Sequence, residues 1–106
     1  MKFLLFESED KAKQVLEEGK PRQVLVKNME ICIVRKNDQL FAFQNLCTHM
    51  GASLNQGNIN HLNEIVCPLH TYRFNMTTGE ESESRCNPLK IYPIIQSNDG
   101  VYIDVD

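Results

Sequence analysis

The sequence predicts an all-β fold, a small antiparallel sandwich or barrel. Many short apolar runs alternate with polar or glycine-containing turns, which is typical of such folds. Only one segment, near the N-terminus, has a helical pattern. With 106 residues the chain has the size of one small domain. We therefore expect a single domain over residues 1–106.

The N-terminal segment predicts one edge strand and the helix. Phe3–Phe6 is a short apolar run. Ser8–Glu18 follows with a helical stripe, and Ser8 is a suitable N-cap. Gly19 is expected to end this helix before Pro21.

Three strands are expected in the middle of the chain, with a turn at Asn28-Met29 and another at residues 36–39. These strands are Gln23–Lys27, Glu30–Arg35 and Leu40–Gln44. The second is apolar on both faces, with Ile31 and Ile33 alternating with Cys32 and Val34, which predicts that both faces are covered.

The second half of the chain predicts two hairpins. Asn55-Gln56-Gly57 marks a turn into the first, in which Asn58–His61 pairs with Glu64–Val66. In the second, Leu89–Gln96 pairs with Val101–Val105 across a Ser-Asn-Asp-Gly turn. Between them we expect a brief strand, Tyr72–Phe74, and a polar surface connection, Glu80–Cys86.

Composition excludes several classes of protein. The net charge of −3 and pI of about 5.6 disfavour a nucleic-acid partner. No apolar stretch approaches the roughly 20 residues of a membrane span, and the apolar start is interrupted by Glu7, Glu9 and Asp10. We therefore expect a cytoplasmic protein without a membrane partner, in which thiols stay reduced.

Two short motifs carry the chemistry. Cys47-Thr48-His49 is followed, after 17 residues, by Cys67-Pro68-Leu69-His70. Each motif supplies one thiol and one imidazole. Thiolates favour zinc or iron–sulfur clusters, and imidazole suits zinc or iron. The four side chains therefore predict a metal site.

The order of the ligands distinguishes between these metals. A zinc finger usually pairs two cysteines and then two histidines, whereas each motif here is mixed. In a Rieske centre two histidines replace two cysteines on one iron of a [2Fe–2S] cluster. The runs CTHMGASL and CPLHTYRFNMTTG, within residues 47–79, resemble the Rieske iron–sulfur family.

This resemblance implies a fold, a cofactor and a role. Cys47, His49, Cys67 and His70 would bind one [2Fe–2S] cluster per chain, in loops at one end of the β scaffold. The protein would be a monomeric electron carrier and not an enzyme. It would take electrons from a flavoprotein reductase and pass them to a terminal oxygenase through transient docking.

Two alternatives stay open. The chain could be the small Rieske subunit of an assimilatory nitrite reductase, which has similar size and motifs. It could also be a structural zinc protein or interaction module, because zinc accepts the same donors.

Departures from the high-potential members of the family indicate the low-potential, oxygenase-associated type. Those members have two further cysteines that form a disulfide, where this chain has Ala52 and Leu69. They also have Ser and Tyr hydroxyls where this chain has Tyr72 and Phe74. Thr71 stands where the family often has Gly, and its hydroxyl could restore one donor.

The remaining polar and cysteine residues have simpler interpretations. His61 is expected to be an exposed loop residue, Cys32 to lie in the core and Cys86 to be partly exposed. The acidic run of residues 80–83 is expected to be solvated. An apolar rim around the cluster is also expected, formed by Met50, Leu54, Pro68 and Leu69.

Overall fold

The computed structural model describes residues 1–69 and 71–105; His70 and Asp106 lie outside the described residues. The described part forms nine strands, one α-helix and one short 3-10 helix. In chain order these are β1 (Lys2–Phe6), α1 (Glu9–Val15), β2 (Arg22–Val26), β3 (Met29–Lys36), β4 (Gln39–Gln44), the 3-10 helix (Leu54–Gln56), β5 (Asn58–Ile59), β6 (Glu64–Val66), β7 (Arg73–Asn75), β8 (Ile94–Ser97) and β9 (Gly100–Asp104).

The strands form three antiparallel sheets of three strands each, with orders β1-β9-β8, β2-β3-β4 and β5-β6-β7. Most pairs join strands that are adjacent in sequence, as in hairpins. The exception is β1, which pairs with the last strand, β9, with Phe3 opposite Ile103. The predicted all-β class, with one short helix near the N-terminus, is confirmed.

Helix α1 is capped as predicted but is shorter than expected. The Ser8 hydroxyl oxygen accepts a hydrogen bond from the Lys11 N–H at 3.1 Å. The helix ends at Val15 instead of Glu18, because Leu16 is extended and buried. The Nε of Arg35 donates to the Leu16 carbonyl at 2.8 Å, which fixes the chain in this non-helical path.

Two tight turns connect β2, β3 and β4. Lys27 and Asn28 have φ angles of 50° and 64°, and Asn37 and Asp38 have 52° and 64°. Positive φ at both central residues is the geometry of a two-residue hairpin turn that matches strand twist. The first turn therefore lies one residue earlier than predicted, and Met29 begins β3.

The last hairpin is shorter than expected. Strand β8 begins at Ile94 and not at Leu89, because Pro93 has no N–H to donate to a neighbouring strand. Before it, Ile91 makes a single bridge to Phe43. The turn at Asn98-Asp99 pairs Ser97 with Gly100.

Strand β3 separates two groups of buried apolar side chains. Cys32 and Val34 belong to the first core, with Phe43, Cys47, Leu54, Ile65, Cys67, Phe74, Met76 and Leu89. Ile31 and Ile33 belong to the second core, with Leu16, Val26, Ala42, Tyr92, Ile103 and Val105. Both faces of β3 are thus covered, and the predicted core position of Cys32 is confirmed.

None of the helices in the described residues is long and apolar enough to cross a membrane.

Candidate metal centre

The first predicted ligand motif lies in a closed loop after β4, residues 46–53, which we call the first arm. The Cys47 N–H donates to the Ala52 carbonyl at 2.8 Å, and the Gly51 N–H donates to the Cys47 carbonyl at 2.8 Å. Gly51 has a φ of 72°, which a residue without Cβ adopts at little cost. These bonds fix the backbone on both sides of His49.

A buried asparagine fixes the base of the first arm. Asn45 is fully buried, and its side-chain oxygen accepts from the Asn55 N–H at 3.0 Å. Its side-chain nitrogen donates to the Asn55 side chain at 2.9 Å. Because buried amides are costly when unpaired, this pair specifies one position for the arm.

The second motif lies in residues 67–72, the second arm, between β6 and β7. The Cys67 N–H donates to the Tyr72 carbonyl at 2.7 Å. Each arm is thus closed in the same way, by a bond from its cysteine to the carbonyl five residues later. The predicted ligand His70 lies outside the described residues.

The two arms bring two buried thiols together in the first core. Cys47 is 3% exposed and Cys67 is 1% exposed. Burial raises the pKa of the Cys67 thiol to about 11, and its interaction with the Cys47 thiol adds to the effect. A metal must displace these protons when it binds, because thiolates are the ligating form.

The first arm also carries the imidazole of His49, a nitrogen donor two residues after Cys47. The residue is half-buried, and its Nδ1 atom is shielded from solvent. Two buried thiols and a shielded imidazole nitrogen, from two loops of fixed shape, fit the donor set of a Rieske [2Fe–2S] cluster.

The order of the donors fits a mononuclear zinc site less well. Each arm supplies one cysteine and one histidine, whereas a zinc finger usually takes two cysteines and then two histidines. A binuclear centre distributes its ligands over two irons, so each arm can give one ligand to each iron.

The features that mark high-potential members are absent at the described positions. All four cysteines of the chain are described, and none forms a disulfide. Phe74 is fully buried and has no hydroxyl. Tyr72 is stacked on His49, with ring centroids 4.0 Å apart and an interplanar angle of 12°.

A third segment contacts the first arm. The Thr48 hydroxyl donates to the Asn87 carbonyl at 2.5 Å and lies 3.4 Å from the Cys86 sulfur. Cys86 is partly exposed, as predicted. The segment therefore supports the arm between its two predicted ligands, Cys47 and His49.

The acidic run was expected to be solvated, and for Glu81 this is wrong. The Glu81 side chain is fully buried, because Arg85 and neighbouring N–H groups bind both of its oxygens. These contacts, the Arg85 side chain first, lower the pKa of Glu81 to about 2. The i, i+4 spacing of Glu81 and Arg85 was the available sequence signal.

Both arms carry exposed apolar side chains, with one change from the prediction. Leu54 is fully buried in the first core, because it begins the 3-10 helix below the arm. Leu46 is exposed instead. We define the apolar rim as the exposed Leu46, Met50, Pro68 and Leu69. His61 is exposed, as predicted.

Comparison with known proteins agrees with this geometry. A family model described as the Rieske [2Fe-2S] domain matches residues 8–93. The ferredoxin component of the naphthalene 1,2-dioxygenase system of Pseudomonas putida is 35% identical over 92 residues, which cover 83% of this chain and 85% of the relative.

Solved structures show the same fold. A chain in the complex of reduced oxygenase and oxidized ferredoxin in carbazole 1,9a-dioxygenase has a TM-score of 0.78 and 29% identity, with 96% of this chain and 100% of that chain covered. A putative NADH-dependent nitrite reductase small subunit from Mycobacterium tuberculosis has a TM-score of 0.81 but 16% identity, with 100% and 98% covered. At that identity the likeness shows the fold alone.

Proposed function

Because the chain belongs to the Rieske [2Fe-2S] domain family, we propose that it is the ferredoxin component of an oxygenase system. When bound, the cluster supplies a one-electron couple. The observation that carries the proposal is the pair of buried thiols, Cys47 and Cys67, which two arms of identical closure bring together.

The ligand set is Cys47, His49, Cys67 and His70, with one [2Fe–2S] cluster per chain. Support comes from the donor chemistry of the three described residues and from the position of His70 within the second motif. The domain spans residues 1–106. The four unbridged cysteines favour a reducing compartment, the cytoplasm.

The partners follow from the chemistry and from the relatives. A flavoprotein reductase would donate electrons, and a terminal oxygenase would accept them. The apolar rim offers a docking surface next to His49, and redox complexes of this kind are small and transient. The chain itself works as a monomer.

The oxygenase system is preferred to the nitrite reductase alternative. The 35% identity to the naphthalene dioxygenase ferredoxin covers most of the chain, whereas the nitrite reductase subunit shares only the fold. The structural zinc alternative is disfavoured by the mixed order of the donors, one cysteine and one histidine in each motif.

Spectroscopy of the purified protein tests the cluster. Iron-replete protein should absorb in the visible range and give an EPR signal after reduction, with one electron taken up per chain. C47S and C67S should each lose both signals, and C32S should keep them. Colourless protein with one redox-inert ion per chain would support the zinc alternative.

Docking is tested with the apolar rim. L69E should slow electron transfer to the oxygenase while the absorption spectrum stays intact, since Leu69 is 45% exposed. L25E is the matched control, because Leu25 is 69% exposed on β2, outside the arms. Equal rates for the two variants would remove the rim from the docking surface, and a bleached L69E would assign Leu69 a structural role.

A further inference from the structure

Tyr72 connects the two arms through an aromatic contact. Its ring stacks on His49, with centroids 4.0 Å apart and the planes within 12° of parallel. The Tyr72 carbonyl accepts from the Cys67 N–H, so its backbone belongs to the closed second arm. A residue of the second arm thus covers a proposed ligand of the first arm.

Arg85 packs on the same tyrosine ring. Its guanidinium carbon lies 3.7 Å from the Tyr72 centroid. His49 and Arg85 cannot occupy the same space above the ring, so they contact its two opposite faces. The tyrosine is therefore held between an imidazole and a cation, which the face of the ring attracts electrostatically.

Glu81 holds Arg85 in this position. The Arg85 Nε donates to one Glu81 oxygen at 3.1 Å and Nη2 donates to the other at 2.6 Å, a bidentate pair. The same carboxylate accepts from the Arg85 N–H at 2.7 Å and from the Ser82 hydroxyl at 3.0 Å. Both ends of Arg85 are thus bound to one buried anion.

The buried anion is in turn fixed to strand β7. The Ser82 N–H donates to the Arg73 carbonyl at 2.8 Å, and the Asn75 N–H donates to the Glu80 carbonyl at 2.9 Å. Glu81 forms a bridge with Phe74 between these two bonds. A continuous set of contacts therefore runs from β7 through Glu81, Arg85 and Tyr72 to His49.

We propose that Glu81, Arg85 and Tyr72 are positioning residues that set the plane of the His49 imidazole and, with it, the reduction potential. The inference rests on the proposed electron-carrier function. The orientation of a ligating imidazole is fixed by contacts beyond the metal, which also tune the metal. Here an aromatic stack, anchored by an ion pair whose carboxylate is buried, supplies such a contact.

The ion pair also fixes the electrostatics near His49. Glu81 and Arg85 together are neutral. R85Q leaves a buried carboxylate without its cation, and the added negative charge disfavours electron uptake. E81Q leaves the cation alone and has the opposite effect. The two variants should therefore shift the potential in opposite directions, R85Q downward and E81Q upward.

The test uses cluster-loaded protein and two readouts other than activity. Midpoint potentials come from redox titration, and the couplings of the two histidine nitrogens come from pulsed EPR of the reduced protein. Y72F keeps the ring and should retain wild-type couplings. Y72L removes the ring. It should change the nitrogen couplings of one histidine and leave the couplings of the other histidine unchanged.

Arg85 provides an independent arm of the test, should Y72L fail to bind the cluster. R85Q should lower the potential and alter the same histidine couplings as Y72L. R85K keeps the charge but lacks the planar group. It should also alter the couplings, with a smaller shift in potential than R85Q. R73Q is the charge-matched control, since Arg73 is adjacent to Tyr72 but pairs with Glu64 at 3.5 Å. R73Q should leave the couplings unchanged.

Two results would overturn the inference. The first is an R85Q variant with the potential and couplings of the wild type. The second is an equal change of the histidine couplings in R85Q and R73Q. Failure of the proposed function would look different, because the wild-type protein would then give no EPR signal after reduction.

Discussion

At the scale of the residue, Glu81 is the buried acid whose ionisation should govern acid stability. Its pKa is lowered from 4.5 to about 2, chiefly by the hydrogen bonds from the Arg85 side chain. A carboxyl with a depressed native pKa contributes stability that is present above pH 4.5 and is lost as the pH falls toward 2. We expect E81Q to melt at a lower temperature than wild type at pH 6. Between pH 6 and pH 3, the melting temperature of E81Q should fall less than that of wild type.

Thermal unfolding of the loaded protein between pH 6 and pH 3, followed by circular dichroism, measures this. E83Q is the control, because Glu83 also contacts Arg85, at 3.3 Å, but is 66% exposed. An E83Q melting curve as low as that of E81Q would contradict the special role of the buried carboxylate.

Thr71 is a β-branched residue in the left-handed region, with a φ of 53°. Such a conformation costs roughly 1–2 kcal/mol for a residue with Cβ. Glycine avoids this cost, but its greater conformational freedom in the unfolded chain lowers stability by roughly 0.4–1 kcal/mol. We therefore expect T71G to be more stable than wild type by up to about 1 kcal/mol. Chemical denaturation of the loaded protein measures it.

T77G serves as the reference for Thr71, because Thr77 has no positive φ. It should be less stable than wild type by about 0.5–1 kcal/mol, the usual entropic cost of glycine. If T71G were destabilised as much as T77G, the contacts of the threonine would outweigh its backbone strain.

At the scale of the element, the first arm depends on the Asn45–Asn55 pair. N45A removes two hydrogen bonds and leaves the part-buried Asn55 N–H without its partner, and each such bond contributes about 0.5–1.5 kcal/mol. We expect fewer iron atoms per chain, measured by iron and protein assay, together with a lower melting temperature. N58A is the control, because Asn58 is exposed on β5. It should change neither the iron content per chain nor the melting temperature.

At the same scale, some elements and candidate ligands could be predicted from the sequence and others could not. The motifs predicted Cys47, His49 and Cys67 as ligands because ligand chemistry depends on residue type and spacing, which are explicit in the chain. The length of α1 was overestimated because Leu16 leaves the helix to bind Arg35, 19 residues away. The burial of Glu81 was missed for a similar reason, since its position depends on β7 and not on its polar neighbours. Strand bounds near Pro93 depended on pairing that composition does not specify.

At the scale of the whole molecule, the two cores should respond differently to loss of the cluster. Cys47 and Cys67 belong to the first core, together with residues of β6 and β7. The strands β1 and β9 pack on the second core. Since bound metal stabilises only the state that binds it, removal should loosen the first core more.

Hydrogen exchange of iron-depleted and loaded protein tests this. Amides of both arms and of β5–β7 should exchange faster after iron removal, and those of β1, β8 and β9 should change little. A uniform acceleration across the chain would mean that the two cores unfold as one unit.

The matched closure of the arms limits where the chain can change in length. Cys47 bonds to Ala52 and Cys67 to Tyr72, so one inserted residue inside either loop would break its ring. The exposed turn at His61 and Leu62 lies outside both rings, so a change of length there leaves the closure of both arms intact. During evolution, insertions should therefore accumulate there while both loops keep their size.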